Sequence, residues 1–498
     1  MNFIRHQSEF SVQLPATLAI GFTGHRKLSD EEKSREAIRA VLLDWKTKFP
    51  GILYGVTSTA SGGDLLFAET CIELHVPFRV LLPVPKERFR SDFDEPAWDR
   101  AECVFRKALS VEVAGAGEEL TECYYECGIE TVQQSQLMIA LWDGGPSQGL
   151  GGTADMVHFA NERGRPVIWI HSVSGEVHNF NQHQEILDDP ELRFLNELPD
   201  PGMSLPVGTP HEVVTSWFAK LDANASRFAP QFRRMAILPI FCTAAAAVLS
   251  AKTAYTGSSV VWLWMGTALG LMAASLPTIL RLGHRQVAWT RVRTAAEICR
   301  SCLALWRTPV PYEAVGPEVV PDLTGMLASL NFLKMSDRAV PQYTLDEFKE
   351  CYRGDRVQHQ IGYFSRHANQ AAARARQYRI VTWASTILAA GLDFWLLLNA
   401  HGLNHWISER WKPEMALSIA ICFQVATVAG SVVVVNDYVR RRDRYRELHR
   451  MLVQWDKQLE LARTWPIVLR IAVTVEKALL AEVIEWRSHI RNRKLPQK

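Results

Sequence analysis

The chain has 498 residues, 48% of them hydrophobic and 22% charged, with a net charge of +2. Its mean hydropathy of −0.05 averages two very different halves. Lys and Arg form no stripe interleaved with aromatics in the N-terminal half, which excludes a nucleic-acid-binding head. The nine scattered cysteines exclude a disulfide framework in a reducing compartment.

The first 20 residues carry Arg5 and Glu9 and no apolar stretch of signal-peptide length, so the N-terminal region is expected in the cytosol. From residue 17, short apolar runs alternate with helical stretches. Residues 17–22, 53–57, 78–82, 137–142 and 167–170 read as buried strands; 30–45, 64–74, 97–109, 121–134 and 154–162 read as helices. This alternation predicts a parallel sheet covered on both faces, which binds ligands at the carboxyl ends of its strands.

Three loops at those ends carry candidate chemistry. In Gly21-Phe22-Thr23-Gly24-His25-Arg26, two glycines allow a tight turn, and Thr23, His25 and Arg26 offer donors to a phosphate. A plain strand-to-helix turn is the alternative. In Ser58-Thr59-Ala60-Ser61-Gly62-Gly63-Asp64, the following helix offers its N-terminal amides, and Asp64 either caps that helix or meets a ribose hydroxyl. The third loop runs from Trp142, Asp143 and Gly144 through Gln148 to Gly151, Gly152 and Thr153, and again sets glycines and a hydroxyl before a helix. The expected ligand-binding residues are Gly21, Thr23, Gly24, His25, Arg26, Ser61, Gly62, Gly63, Asp64, Trp142, Asp143, Gly151, Gly152 and Thr153.

Farther along, residues 235–251, 259–280, 380–400 and 414–435 are apolar. At 1.5 Å rise per residue, ~20 helical residues cover the ~30 Å hydrocarbon core. The first segment is shorter and carries Pro239, which a spanning helix tolerates. Arg233 and Arg234 precede it, and Arg281, Arg285, Arg291 and Arg293 follow the second segment. Arg374, Arg376 and Arg379 precede the third, and Arg440, Arg441, Arg442 and Arg444 follow the fourth. The outer loops hold only Lys252, Arg410 and Lys412. This bias predicts two hairpins, with both termini and the middle region cytoplasmic. Buried core helices of a soluble protein are the alternative.

The expected organisation is a nucleotide-binding domain at 1–172, a linker at 173–232 and a first hairpin with its cytoplasmic helix at 233–310. A connecting region follows at 311–370, and a second hairpin with C-terminal helices at 371–498. The spacing from Arg293 to Trp306 matches that from Arg442 to Trp455 and suggests a duplicated hairpin. Asp393 lies inside the third segment as a pore or interface candidate, and Gln424 in the fourth could pair with it or make an ordinary interhelical bond. After Trp465, the residues Val468, Ile471, Val475, Leu479, Val483 and Trp486 recur at helical spacing among Arg470, Glu476 and Lys477, an amphipathic helix suited to packing and self-association. Cys299 and Cys302 have metal-ligand spacing without a second pair, so no metal is expected.

The motifs of the N-terminal region, with Gly62 to Glu69, Leu81-Leu82-Pro83 and Gly151 to Asp155, resemble the SLOG superfamily over about residues 15–172. The resemblance implies a Rossmann-like fold that binds nucleotides and their derivatives, in hydrolytic or non-catalytic members. Hydrolytic members carry a Gly-Gly-x-Gly-Thr-x-x-Glu loop; here Met156 stands at that Glu, which favours binding over turnover and assigns no catalytic residue. Residues 352–376, with Arg356, Gln360, Tyr363 and Phe364, are similar to the SLATT class of membrane modules. Together the resemblances imply an α/β Rossmann-like head on a four-span helical region in a bacterial inner membrane. They further imply a homo-oligomeric effector of antiphage defence that answers a cyclic-nucleotide or ADP-ribose type signal without a cofactor and acts on the lipid bilayer. A membrane-tethered nucleotide hydrolase using Asp64, Asp155 or Glu122 is the alternative.

Overall fold

The computed structural model describes residues 12–115, 117, 119–147, 149–181, 188–202, 208–256, 260–282, 285–316, 319–337, 343–400 and 411–492. At 228–236, 256, 276–282, 285–287, 400, 486 and 488–492 it describes the backbone alone. Arg5, Glu9, Gln148 and Arg410 lie outside the described residues, as do the side chains of Arg233, Arg234, Arg281, Arg285 and Trp486. The chain divides into two compact units, residues 1–220 with 305–342, and residues 221–304 with 343–498.

In the first unit, apolar runs buried on both faces build the sheet: Leu18, Ile20, Phe22, Val56, Val80 and Ile139 are all 0–1% exposed. The strands are β1 (Thr17–Gly24), β2 (Ile52–Thr57), β3 (Phe78–Leu82), β4 (Val111–Val113), β5 (Leu137–Trp142), β6 (Val167–His171) and β7 (Val177–Phe180), in the order β4-β3-β2-β1-β5-β6-β7. Every pair is parallel except β6 with β7. The five expected strands are present. The short edge strand β4 and the antiparallel β7, which extends the sheet past residue 172, were not expected.

The helices between strands are α1 (Glu31–Lys48), α2 (Gly63–Glu73), α3 (Lys86–Phe89), α4 (Glu95–Lys107), α5 (Leu120–Gln133) and α6 (Thr153–Glu162). Asp30 caps α1 by accepting the Lys33 amide at 3.0 Å. Phe22 of β1 stacks on Phe67 of α2 with ring centroids 4.6 Å apart, which fixes α2 against the sheet. From β1 the chain builds outward through β2, β3 and β4 on one side, then resumes at β5 on the other. The carboxyl ends of β1, β2 and β5 therefore meet at a topological switch point.

The chain continues as α7 (Pro190–Asn196), α8 (Pro210–Thr256), α9 (Val260–Leu282), α10 (Arg285–Ala304), α11 (Thr324–Ser336) and α12 (Leu345–Cys351). It ends with α13 (His359–Ala400), α14 (Lys412–Val435), α15 (Tyr438–Leu461) and α16 (Trp465–Asn492). α11 belongs to the first unit: the Ser329 hydroxyl donates to the Pro15 carbonyl at 2.7 Å, beside β1.

Among the described residues, three helical stretches are long and apolar enough to cross a membrane: Ile237–Tyr255 in α8, one within Leu345–Asn399 that takes in most of α13, and one within Lys412–Leu461 that takes in α14. The second expected span falls on α9, whose apolar stretch there is shorter, Val260–Ser275. α8 runs through Pro239 without a break. Most of the apolar side chains of these helices lie outside any core, although Ala389, Ala429 and Val432 are buried: Trp264 is 71% exposed, Ile387 66% and Val434 76%. Large apolar surface left open in this way marks a membrane or partner surface.

In the second unit, a π-helical segment, Tyr352–Gln358, leads into α13. Arg356 from this segment pairs with Glu476 of α16 through two bonds, at 2.8 and 2.7 Å, and Glu476 also accepts the Tyr352 hydroxyl at 2.9 Å. Both partners are buried. Val468, Ala472 and Val475 of α16 are fully buried beside this pair, so the apolar face of the expected amphipathic helix packs inside the unit. Of the matched Arg-to-Trp spacings, Arg293 in α10 and Arg442 in α15 each lie in the helix that follows an apolar stretch, but the tryptophans differ. Trp306 lies past the end of α10, where its indole donates to Asp337 at 2.9 Å, whereas Trp455 lies inside α15. Asp393 is exposed, Gln424 is half-buried, and no hydrogen bond joins them among the described residues.

Candidate functional site

The three glycine-containing loops meet at the carboxyl edge of β1, β2 and β5. β1 ends on Gly24, whose α-carbon packs against Gly63 at the start of α2. A Cβ on Gly24 would stand 3.2 Å from the Gly63 Cα, so the two backbones approach more closely here than residues with a Cβ usually do. Gly62 has φ +92°, and a Cβ there would overlap the Arg26 carbonyl. The Gly63 amide donates to the His25 carbonyl at 2.9 Å, which locks the first loop onto the second.

Asp64, 6% exposed, sits beneath that junction. Its Oδ2 accepts the Gly24 amide at 3.2 Å, and its Oδ1 accepts the Ser58 hydroxyl at 2.9 Å and the Thr57 hydroxyl at 3.4 Å. The carboxylate thus ties the ends of β1 and β2 to α2. The N-cap position of α2 is Gly62, which makes no side-chain capping bond. Burial pushes the Asp64 pKa up to about 6, against the hydrogen bonds from Ser58 and Gly24 and the charge of Arg26. Beside it, buried Thr59 holds a left-handed φ of 59°, a conformation that costs a β-branched residue energy and that clusters at functional sites.

His25 and Asp143 join the first and third loops. His25 Nε2 lies 3.1 Å from both the Asp143 amide and Asp143 Oδ1. It accepts from the amide when neutral and pairs with the carboxylate when protonated. The Gly145 amide and His25 hold the Asp143 carboxyl below the usual range. Trp142 donates to the Gly145 carbonyl at 2.9 Å, closing the turn. Arg26 is exposed; its guanidinium stands 4.6 Å from the Tyr124 ring centroid and 3.5 Å from Asp92, which also accepts the Tyr124 hydroxyl.

At the far side, α6 starts on Gly152 with no side-chain cap; Gly151 has φ +84°, and Thr153 is the first helical residue. Asp155 Oδ2 accepts the Gly151 amide at 3.0 Å, so this carboxylate is occupied in shaping the loop. Met156 is 2% exposed and packs with Val132, Met138 and Ala140, so the position is directed into the core.

Among the expected residues, Gly24, His25, Gly62, Gly63, Asp64, Trp142 and Asp143 are joined by this network. Thr23 and Ser61 are half-buried at the same edge. Gly21 lies inside β1, where a Cβ would overlap Ser135 and Met138, so it serves packing. Thr57 and Ser58, at the start of the second loop, complete the Asp64 contacts, and Asp92 and Tyr124 complete the surroundings of Arg26; Asp92 and Tyr124 were not singled out from sequence, since no periodicity or glycine pattern marks them.

Two helix N-termini without side-chain caps, an exposed guanidinium and an imidazole make the edge receptive to an anion. Among the described residues no group of three or more His, Cys, Asp or Glu could hold a metal ion. Cys299 and Cys302 are buried on α10 and form no disulfide. No family model matches the chain, and no curated protein matches its sequence.

Proposed function

We propose that this chain is a membrane-embedded sensor and effector, which binds a nucleotide-derived signal at the switch point and acts on the bilayer through its apolar helices. The observation that carries the ligand half is the convergence of the uncapped N-termini of α2 and α6 on either side of the loop bearing His25 and Arg26. A phosphate suits the amides and Arg26, and the exposed carboxylate of Asp143 suits a sugar hydroxyl. The membrane half is supported by the open apolar faces of α8, α9, α13 and α14.

In this reading all four segments span an inner membrane, with both termini and the arginine-rich flanks in the cytoplasm. α8 carries the chain from the sensing unit into the membrane unit. Several copies assemble, because a pore or lesion needs more apolar surface than two hairpins enclose. The resemblance to SLOG and SLATT proteins supports a role in bacterial antiphage defence. The burial of Met156, where hydrolytic relatives place a Glu, supports binding over turnover.

One observation favours a second reading, hydrolysis: the pKa of about 6 at Asp64 suits a general acid or base. Titration calorimetry of the full-length chain in nanodiscs against cyclic oligonucleotides and ADP-ribose derivatives, with chromatography of each mixture, separates the two. Binding with unchanged ligand supports the sensor. Product formation that Asp64→Asn abolishes supports the enzyme, and no binding by any member of the panel contradicts both.

A further inference from the structure

The geometry points to a second anion site in the second unit, one that takes the phosphate headgroup of an anionic phospholipid. A cavity of about 350 Å³ lies where α13 passes the junction of α14 and α15, lined by Arg374, Gln377, Tyr378, Val381 and Tyr438. Its occupant follows from charge, hydrogen-bonding capacity and position along the spans.

Arg374 is exposed and makes no hydrogen bond or ion pair with any described residue. Tyr378 and Tyr438 lie with rings parallel to within 11° and centroids 6.1 Å apart, and neither hydroxyl has a hydrogen-bond partner among the described residues. A guanidinium and two phenol hydroxyls are donors suited to a phosphate diester, and the planar fork of Arg is the better phosphate ligand of the two basic side chains. Arg376, Arg379 and Arg441 add positive charge along the same helices. The nearest carboxylate in sequence, Asp437, lies 4.0 Å from Arg440.

The cavity sits where a headgroup would be. Arg374 precedes the apolar run of α13 that starts near Ile380, and Tyr438 follows the last residue of α14, Val435. Val381 supplies an apolar wall on the side of the spans, as an acyl chain leaving the headgroup requires. The junction itself is built for this: Asn436 donates to the Val432 carbonyl at 2.9 Å, and Asp437 takes a left-handed φ of 50°. That break ends α14 and turns Tyr438 toward Tyr378. Tyrosines and arginines at the ends of spans are the usual partners of the interface.

This site rests on the membrane reading above, so its test includes a separate check of that reading. The full-length chain is placed in phosphatidylcholine nanodiscs with rising fractions of phosphatidylglycerol, and native mass spectrometry counts retained phosphatidylglycerol per chain. Wild type retains it in excess of its share of the disc, and Arg374→Gln binds it about tenfold more weakly, as loss of one charge-assisted hydrogen bond implies. Tyr438→Phe weakens retention less, and Arg463→Gln, an exposed arginine between α15 and α16, leaves it unchanged. Equal retention by wild type and Arg374→Gln overturns the site. Equal occupation by soluble glycerol phosphate in pure phosphatidylcholine discs overturns the lipid assignment in favour of a free phosphate. Vesicle flotation of the same preparation separates the two failures: a chain that does not float overturns the membrane reading and the site with it.

Discussion

Asp64 of α2 holds the last residue of β1: its buried carboxylate accepts the Gly24 amide at 3.2 Å while two hydroxyls from the end of β2 occupy its other oxygen. The first turn of α2, whose amides face the candidate site, therefore keeps its place through an ionisable group.

That group gives the site a pH dependence. Burial raises the carboxyl from its ordinary pKa of 3.8 to about 6 in the fold, so its contribution to stability is complete below the lower value and is lost as pH rises to the upper one. The whole effect is about 3 kcal/mol at most. Thermal denaturation of the full chain in nanodiscs should show a term that falls between pH 4 and 6 in wild type and is missing in Asp64→Asn. Identical profiles for the two proteins contradict this role.

Arg26→Ala should weaken binding of a phosphorylated ligand by about 1.5–3 kcal/mol, tenfold or more, because a charge-assisted hydrogen bond is lost. Arg26 is exposed and rests on Tyr124 and Asp92, so the fold should tolerate the change. Calorimetry measures the affinity, and an unchanged value removes Arg26 from the site.

Gly62→Ala should damage the junction of the first two loops. The residue has φ +92° and a new Cβ would meet the Arg26 carbonyl, a strain of roughly 1–3 kcal/mol from the backbone alone. Hydrogen exchange at the start of α2 should speed up in the variant; unaltered protection there contradicts the placement of this turn.

In the second unit, removing one partner of the buried Arg356–Glu476 pair should cost about 3–5 kcal/mol, since the other charge is left buried. Glu476→Leu alone should therefore lower the denaturation temperature more than Arg356→Met combined with Glu476→Leu. Equal losses in the single and double variants contradict a paired charge.

The central strands were legible because parallel strands buried on both faces leave near-continuous apolar runs. β4 and β7 were not, since a three-residue Val111-Glu112-Val113 edge and the exposed Val177, His178 and Asn179 leave no such run. The loops of the site were visible through their glycines, whereas Asp92 and Tyr124 come to Arg26 from distant segments. Arg356 stood out in sequence, but Glu476 read only as a charge interrupting an apolar helix. Their pairing spans 120 residues and follows from tertiary packing alone.

Leakage of dye from liposomes carrying the full-length chain tests most directly whether ligand binding drives membrane action. A member of the cyclic oligonucleotide and ADP-ribose panel that binds should release dye. Arg26→Ala should shift that release to tenfold or higher ligand concentration, and Asp393→Leu, which removes an ionisable group from the apolar part of α13, should abolish release while leaving binding intact. Tight binding by wild type with no release of dye contradicts the account.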